Sequence, residues 1–357
     1  MDRKQKLLVK SILLFFLVCI VGVIIIGFIN NRKLSYVGIE NKLVSAAKVY
    51  YKDHANLLPQ QDGGSVSVDS LTLIENEYMK EFEKYKKDAI SCSATVTVTN
   101  NNGYYLYLPD LKCQDFKTTS IYHKIVKDNP IVTEKDGLYD IDGEYVFRGE
   151  YPNNYVEFAG KNWRILRLTR GNEIRLISVD SYQEKPWDNR YNVSSKYSSG
   201  ITEFEISRIK ETLNGIYIES FNNDDKSYIV SKQLCIGSRN KKATKNDGSV
   251  ECSKLTEESY PIGMIQVNEY VLASIDANCK VQTNTSCINY NYLRKLDGSY
   301  WTITPSSENN YDAYYVSGSI KDSTASEYRP IRITLNIDGN VVYKSGSGTK
   351  DNPYVIS

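Results

Sequence analysis

The chain has 357 residues, with 44 Lys plus Arg against 43 Asp plus Glu. That length allows two or three units each with its own core, and the near-zero net charge excludes a global field that would mark nucleic acid as a partner. The 29 tyrosines beside 9 phenylalanines and 3 methionines suit strand surfaces first and wet binding faces second.

Residues 1–10, with Arg3, Lys4, Lys6 and Lys10, read as a cytoplasmic tail. From Ser11 to Asn30 there is no charge, and roughly 20 apolar residues at about 1.5 Å each cross a hydrocarbon layer of about 30 Å. A cleaved signal peptide would have a shorter apolar region and a small-x-small site. This stretch ends Gly27-Phe28-Ile29-Asn30, so residues 11–30 are expected to be a retained transmembrane helix. Arg32, Lys33 and Lys42 follow closely, which leaves the orientation to the cysteines.

Cys19 lies inside the span and reads as a small apolar residue. The other six fall into locally spaced pairs, Cys92 and Cys113, Cys235 and Cys252, Cys279 and Cys287. They fit three loop-closing disulfides in an oxidising compartment, although six cysteines formally permit fifteen connectivities. No pair has C-x-x-C spacing, and the only histidines, His54 and His123, are far apart, so no His/Cys metal site is expected. The expected location is the cell membrane, single-pass, with a cytoplasmic N-terminus and everything from about residue 31 outside.

Leu34 to Leu58 keeps a helical rhythm through Val37, Leu43, Val44, Ala47, Tyr50 and Tyr51 up to Pro59, and the membrane helix is expected to run on into it. Asp62-Gly63-Gly64 supplies a turn, and Asp69 can cap a short helix. Alternating β-formers over Ala94–Thr99 and Tyr104–Leu108, joined by Asn100-Asn-Asn-Gly103, predict a hairpin that Cys92 and Cys113 flank. About residues 1–118, with 31–118 as the stalk module, resemble the type IV pilin and pseudopilin architecture, in which a helix with Leu-Val-x-Ala-Ala, here Leu43-Val44-Ser45-Ala46-Ala47, precedes a Cys-bounded hairpin. The family's processing motif does not precede the apolar run, and the Glu that registers filament subunits is missing from within it. The resemblance therefore implies a stalk, with pilin-like self-assembly as the alternative.

Residues 119–136, polar and containing Asn129-Pro130, read as a linker. Beyond it, short strands are expected at Leu138–Ile141, Glu144–Arg148, Tyr155–Phe158, Trp163–Leu168 and Glu173–Ser178, and a helix at Glu203–Ile216. Trp163 and Trp301 alternate with isoleucines and read as core. Arg239 to Val250 is a polar loop between Cys235 and Cys252, the kind of segment a disulfide restrains.

Several motifs in residues 137–357 carry a second resemblance: Trp163-Arg164-Ile165-Leu166-Arg167, Ile174-Arg175-Leu176-Ile177, Pro261-Ile262-Gly263-Met264-Ile265, Tyr300-Trp301-Thr302-Ile303, Tyr328-Arg329-Pro330-Ile331 and the closing Gly346 to Tyr354. They are similar to bacterial surface domains related to the C-type-lectin-like and formylglycine-generating-enzyme-like fold. The fold class expected is α+β: an N-terminal transmembrane helix continuing into a pilin-like helix with a small antiparallel sheet, then a C-type-lectin-like mixed α/β domain rich in short strands and loops.

For chemistry the residues offer little. Trp187-Asp188-Asn189, Asn222-Asn-Asp-Asp225 and Asp351-Asn352 carry oxygen ligands of the kind calcium takes, and they read more simply as turns, so no cofactor is assigned. No Ser-His-Asp set, phosphate loop or free reactive cysteine is discernible, so no catalytic residue is assigned. The expected function is a membrane-anchored binding protein, adhesin or receptor-like, for a glycan or protein ligand. A minor pilin-like subunit of a pilus or secretion apparatus is the alternative, and an enzyme on the formylglycine-generating scaffold stands third.

Overall fold

The computed structural model describes residues 34–196 and 199–356. Helix α1 (Tyr36–Asp53) starts at its own cap: Ser35 is extended, and its hydroxyl accepts the Gly38 N–H at 3.1 Å, satisfying a first-turn donor. Ile39, Leu43, Ala46, Ala47 and Tyr51 form the buried face of α1, spaced three to four apart as one helical stripe requires. That face covers a three-stranded antiparallel sheet of β1 (Ser65–Asp69), β2 (Ser93–Asn101) and β3 (Tyr104–Lys112), in that order. Asp69 caps the short α2 (Ser70–Glu75), and α3 (Phe82–Tyr85) adds a single turn that buries Phe82. The β2–β3 turn places Asn102 and Gly103 at φ 52° and 84°, the left-handed pair a tight hairpin needs. Cys92–Cys113 closes the open end of this hairpin.

These observations correct the expected fold class. The described residues form a mixed α/β protein of several sheets and few helices, and no described helix is long and apolar enough to cross a membrane. The helix expected to continue out of the membrane is capped at Ser35 instead, and residues 11–30 lie outside the described residues. The single-pass cell-membrane location is corrected on the same ground. The three disulfides fit an extracellular, disulfide-bonded protein.

Within 119–136, Ser120 caps α4 (Ile121–Asp128), whose Ile121 and Ile125 are buried in the larger of two hydrophobic cores. That core surrounds a nine-stranded sheet. Its main path runs β12 (Ile262–Gly263), β17 (Thr334–Asp338), β8 (Glu173–Ser178), β7 (Lys161–Leu168), β6 (Tyr155–Phe158), β19 (Tyr354–Ile356) and β18 (Tyr343–Ser345), while the hairpin of β4 (Gly137–Ile141) and β5 (Glu144–Arg148) joins it through β7. Only the β19–β6 pair on this path is parallel, and it returns the end of the chain to the sheet.

Around the sheet lie two ribbons, β9 (Glu184–Pro186) with β16 (Tyr328–Pro330), and β10 (Lys232–Cys235) with β11 (Leu255–Tyr260), and a further sheet of β13 (Tyr300–Pro305), β14 (Asp312–Ser317) and β15 (Ser319–Thr324). The expected helix at 203–216 is broken: a 3-10 turn at Phe204–Ile206, α5 (Arg208–Glu211) begun afresh by the Ser207 cap, and then a wider π-type turn at Thr212–Ile216. Helices α6 (Asn223–Tyr228) and α7 (Val267–Leu272) complete the unit. Trp163, Trp187 and Trp301 are wholly buried, each indole N–H donating to a backbone carbonyl, as buried indoles require.

Candidate functional site

Two strands of the nine-stranded sheet carry arginines where an apolar sheet would have none. Arg167 on β7 and Arg175 on β8 converge on Glu269 of α7, with Arg175 Nε at 2.5 Å from Oε1 and Arg167 Nη2 at 3.0 Å from the same oxygen. A capping box at the start of α7 fixes the carboxylate, since the Gln266 backbone N–H donates to Glu269 Oε2 at 2.9 Å. Arg167 reaches on to Glu144 of β5 at 3.2 Å. Burial pushes the Glu269 carboxyl upward, but Arg175 and Arg167 more than offset it, so the group lies below the ordinary carboxylate range. It stays ionised because the geometry leaves neither guanidinium without a counter-charge.

This network floors a cleft of about 570 Å³, within the range of roughly 300–1,000 Å³ typical of small-ligand sites. One wall is the β4–β5 turn, with Asp142 and Gly143 in the left-handed region. Another carries Glu173, whose Oε1 lies 2.5 Å from Lys232 Nζ and whose Oε2 accepts from Thr169. Burial raises the Glu173 carboxyl, and the bonds from Lys232 and Thr169 bring it below its usual value. Across from these, the loop between the Cys235–Cys252 disulfide ends contributes Asp247 and Gly248. Four basic and five acidic side chains line the cleft, so its charges nearly cancel.

The wall loop hangs on Arg239, fully buried, which donates to Glu251 at 2.9 Å, Gln282 at 3.2 Å and Asn246 at 2.6 Å. Glu251 is also fully buried and accepts the Asn268 N–H at 3.1 Å on the same oxygen that Arg239 holds. Burial raises the Glu251 carboxyl, and its single arginine only partly offsets this. Three groups here have no partner among the described residues: Glu251 Oε2 and both polar atoms of the Asn268 carboxamide. Asn268 lines the cleft and is 0% exposed. Gly248 lies against it at φ 87°, where a Cβ would come to 3.0 Å from Asn268 Nδ2, so both the backbone conformation and the space call for glycine.

The candidate oxygen ligands and the histidines singled out in the sequence are not among the residues that line the cleft. Asp188 is buried and held by Arg190 and the Arg208 N–H. Asn222 caps α6, and Asp224 pairs with Lys48 at 2.7 Å. His54 bonds the Tyr50 carbonyl and His123 the Ser120 hydroxyl. Among the described residues no group of His, Cys, Asp or Glu is arranged to hold a metal ion. The six cysteines are bonded as Cys92–Cys113, Cys235–Cys252 and Cys279–Cys287; of these, Cys235 and Cys252 line the cleft. Sequence reasoning missed Asn268, Glu269 and Glu251. The available signals were the arginines within apolar β7 and β8, which demand a buried acid, and the Gln266-x-x-Glu269 spacing ahead of Tyr270-Val271-Leu272.

No family model matches the chain, no curated protein matches it, and no solved structure matches it.

Proposed function

We propose that the chain is an extracytoplasmic binding protein, of adhesin or receptor type, that takes a glycan or protein ligand in the cleft between the β4–β5 turn, β8 and the Cys235–Cys252 loop. The observation that carries this reading is the cleft itself: a polar concavity of ligand size whose floor is fixed by the Arg167–Glu269–Arg175 network. Fixed, pre-paired charges present directional hydrogen-bonding groups without having to reorganise on binding. The motif resemblance of residues 137–357 to bacterial surface domains points the same way.

The test is a glycan array together with pull-downs against host and cell-wall polymers, using the oxidised protein and an Asp247→Tyr variant that crowds the cleft mouth from an exposed loop position. Binding that the variant loses supports the reading. An array and pull-downs at background, or binding indifferent to Asp247→Tyr, removes it.

A further inference from the structure

Another arginine of β7 is buried without a counter-charge. Arg164 is 3% exposed, and its guanidinium donates to neutral oxygens: Asn154 Oδ1 at 2.6 Å, the Tyr155 hydroxyl at 2.9 Å and the Pro152 carbonyl at 3.4 Å. It also lies 4.0 Å and 4.6 Å from the ring centres of Tyr155 and Tyr292. Burial pulls its pKa below the ordinary guanidinium value, and what opposes this comes from the two phenols, with no carboxylate contributing. Arginine stays charged all the same. A buried charge paired only with dipoles leaves a positive field at the nearest opening.

That opening is a cavity of about 360 Å³ past the end of β5, away from the β4–β5 turn that walls the cleft. Arg164 lies at its base, with Tyr151, Tyr155, Lys295 and Lys350 around it. Lys350 is exposed on the closing turn and has no partner among the described residues. Lys295 bonds Glu150, the one acid of the lining, at 3.0 Å and sits over the Tyr151 ring; an ammonium has three donors, so these contacts do not exhaust it. Asp136 is spent on the Glu150 and Tyr151 N–H groups, each at 2.9 Å, and does not line the cavity. Three cations against one acid leave the cavity net positive. Because the Tyr155 oxygen accepts from Arg164, its own O–H is left to donate, and Arg164 polarises it in that direction.

We infer that this cavity binds an acidic saccharide, its carboxylate or phosphate oxygens meeting the Tyr155 hydroxyl and the Lys295 and Lys350 ammoniums, and its ring resting against Tyr151. Tyr151 is 69% exposed, and an open aromatic ring beside polar donors is a shelf for the apolar face of a sugar. Arg164 acts by its charge, through Tyr155, and need not touch the ligand. The site is separate from the cleft and stands whether or not the cleft takes a ligand. An acidic peptide would bring the same oxyanion, but β6 and β7, the strands that border the cavity, are paired on both sides, and Pro152 is the one wholly apolar side chain of the lining. Neither a strand edge nor side-chain pockets await a peptide there.

Titration calorimetry on the oxidised protein, at one ionic strength because screening sets such affinities, compares digalacturonate, the neutral digalactose of the same linkage, galactose 6-phosphate, a triglutamate peptide and inorganic phosphate. At least one of the acidic sugars is expected to bind about tenfold more tightly than digalactose, triglutamate or inorganic phosphate, and which of them does so assigns carboxylate or phosphate. Lys350→Gln alters an exposed side chain without a partner, so it is expected to unfold with wild type and to weaken that binding about fivefold. Tyr155→Phe, which removes one hydroxyl, is expected to weaken it comparably, and Asp247→Tyr, in the separate cleft, to leave it unchanged. Digalactose, triglutamate or inorganic phosphate binding as tightly as the acidic sugars, no binding of either acidic sugar, or an affinity indifferent to both Lys350→Gln and Tyr155→Phe would overturn the inference. The cleft reading is decided separately, by the array, the pull-downs and their response to Asp247→Tyr.

Discussion

The cleft floor and the loop that walls it are built around the same unit, a buried carboxylate beside arginine, and they complete it differently. Glu269 is gripped by two arginines and a backbone N–H, and its carboxyl is driven below the ordinary range. Glu251 has one arginine, leaves Oε2 unpartnered, and has its carboxyl driven upward. The difference separates scaffold from site. A closed network specifies one geometry, whereas an open one beside an unpaired carboxamide retains hydrogen-bonding capacity at a cost in stability.

The sharpest way to break the comparison is to remove the closed centre. Glu269→Ala leaves Arg175 and Arg167 buried with no common counter-charge, and losing one partner of a buried pair costs about 3–5 kcal/mol. Denaturant unfolding should show that loss; a change below about 1 kcal/mol would mean that the floor is not the scaffold described. Next in size, replacing Cys235 and Cys252 together by Ser frees a loop closed over 17 residues and is expected to cost about 2–4 kcal/mol. The same double change should loosen the Asp247–Gly248 wall, which hydrogen exchange of loop amides would register as faster exchange there than in β7 or β8.

Opposite pKa directions give the two centres opposite pH signatures. Because the folded-state Glu269 carboxyl is depressed, its contribution is complete above the ordinary value of 4.5 and is lost as pH falls through the folded value. The stability lost in Glu269→Gln should therefore be largest near neutrality and shrink toward acid. The Glu251 carboxyl is raised, so its contribution is greatest below 4.5 and declines as pH rises through the raised value. The cost of Glu251→Gln should run the other way and shrink toward neutrality. Unfolding midpoints of both variants across acid to neutral pH decide it; parallel profiles would contradict the contrast.

How much of this the sequence disclosed follows from how local each determinant is. The β2–β3 hairpin was legible because alternation and an Asn-Gly turn lie within one short segment. So were the strands from β4 to β8, short runs of β-formers set off by turns, although β7 and β8 are buried on both faces rather than alternately. Helix α4 lies in a segment that reads as linker from its polar residues and Asn129-Pro130, although Ser120 followed by Ile121 and Ile125 is a cap and a one-sided apolar pair. The start of α1 turned on one side chain, Ser35, which separates it from the apolar run upstream. The cleft was hidden for a different reason: Glu269 meets Arg167 and Arg175 across 102 and 94 residues, and no local pattern encodes such a meeting. Arginine inside an apolar strand announces that a buried acid exists without saying where.

The smallest expected effect tests the rim. Lys232 is 46% exposed at its side chain, while its partner Glu173 is only 12% exposed, so the pair sits half in water, where such bridges are worth about 0.2–1 kcal/mol. Lys232→Ala should therefore shift the unfolding midpoint barely, far less than Glu269→Ala does. Its effect should appear instead in the Glu173 carboxyl. Burial already pushes that group upward, and the Lys232 bond is the largest influence holding it down, with Thr169 second. Without the lysine the carboxyl should titrate at higher pH, visible as a displaced carboxyl carbon shift in an NMR titration. An unmoved Glu173, or a destabilisation approaching that of Glu269→Ala, would place the rim inside the closed network and erase the distinction between floor and mouth.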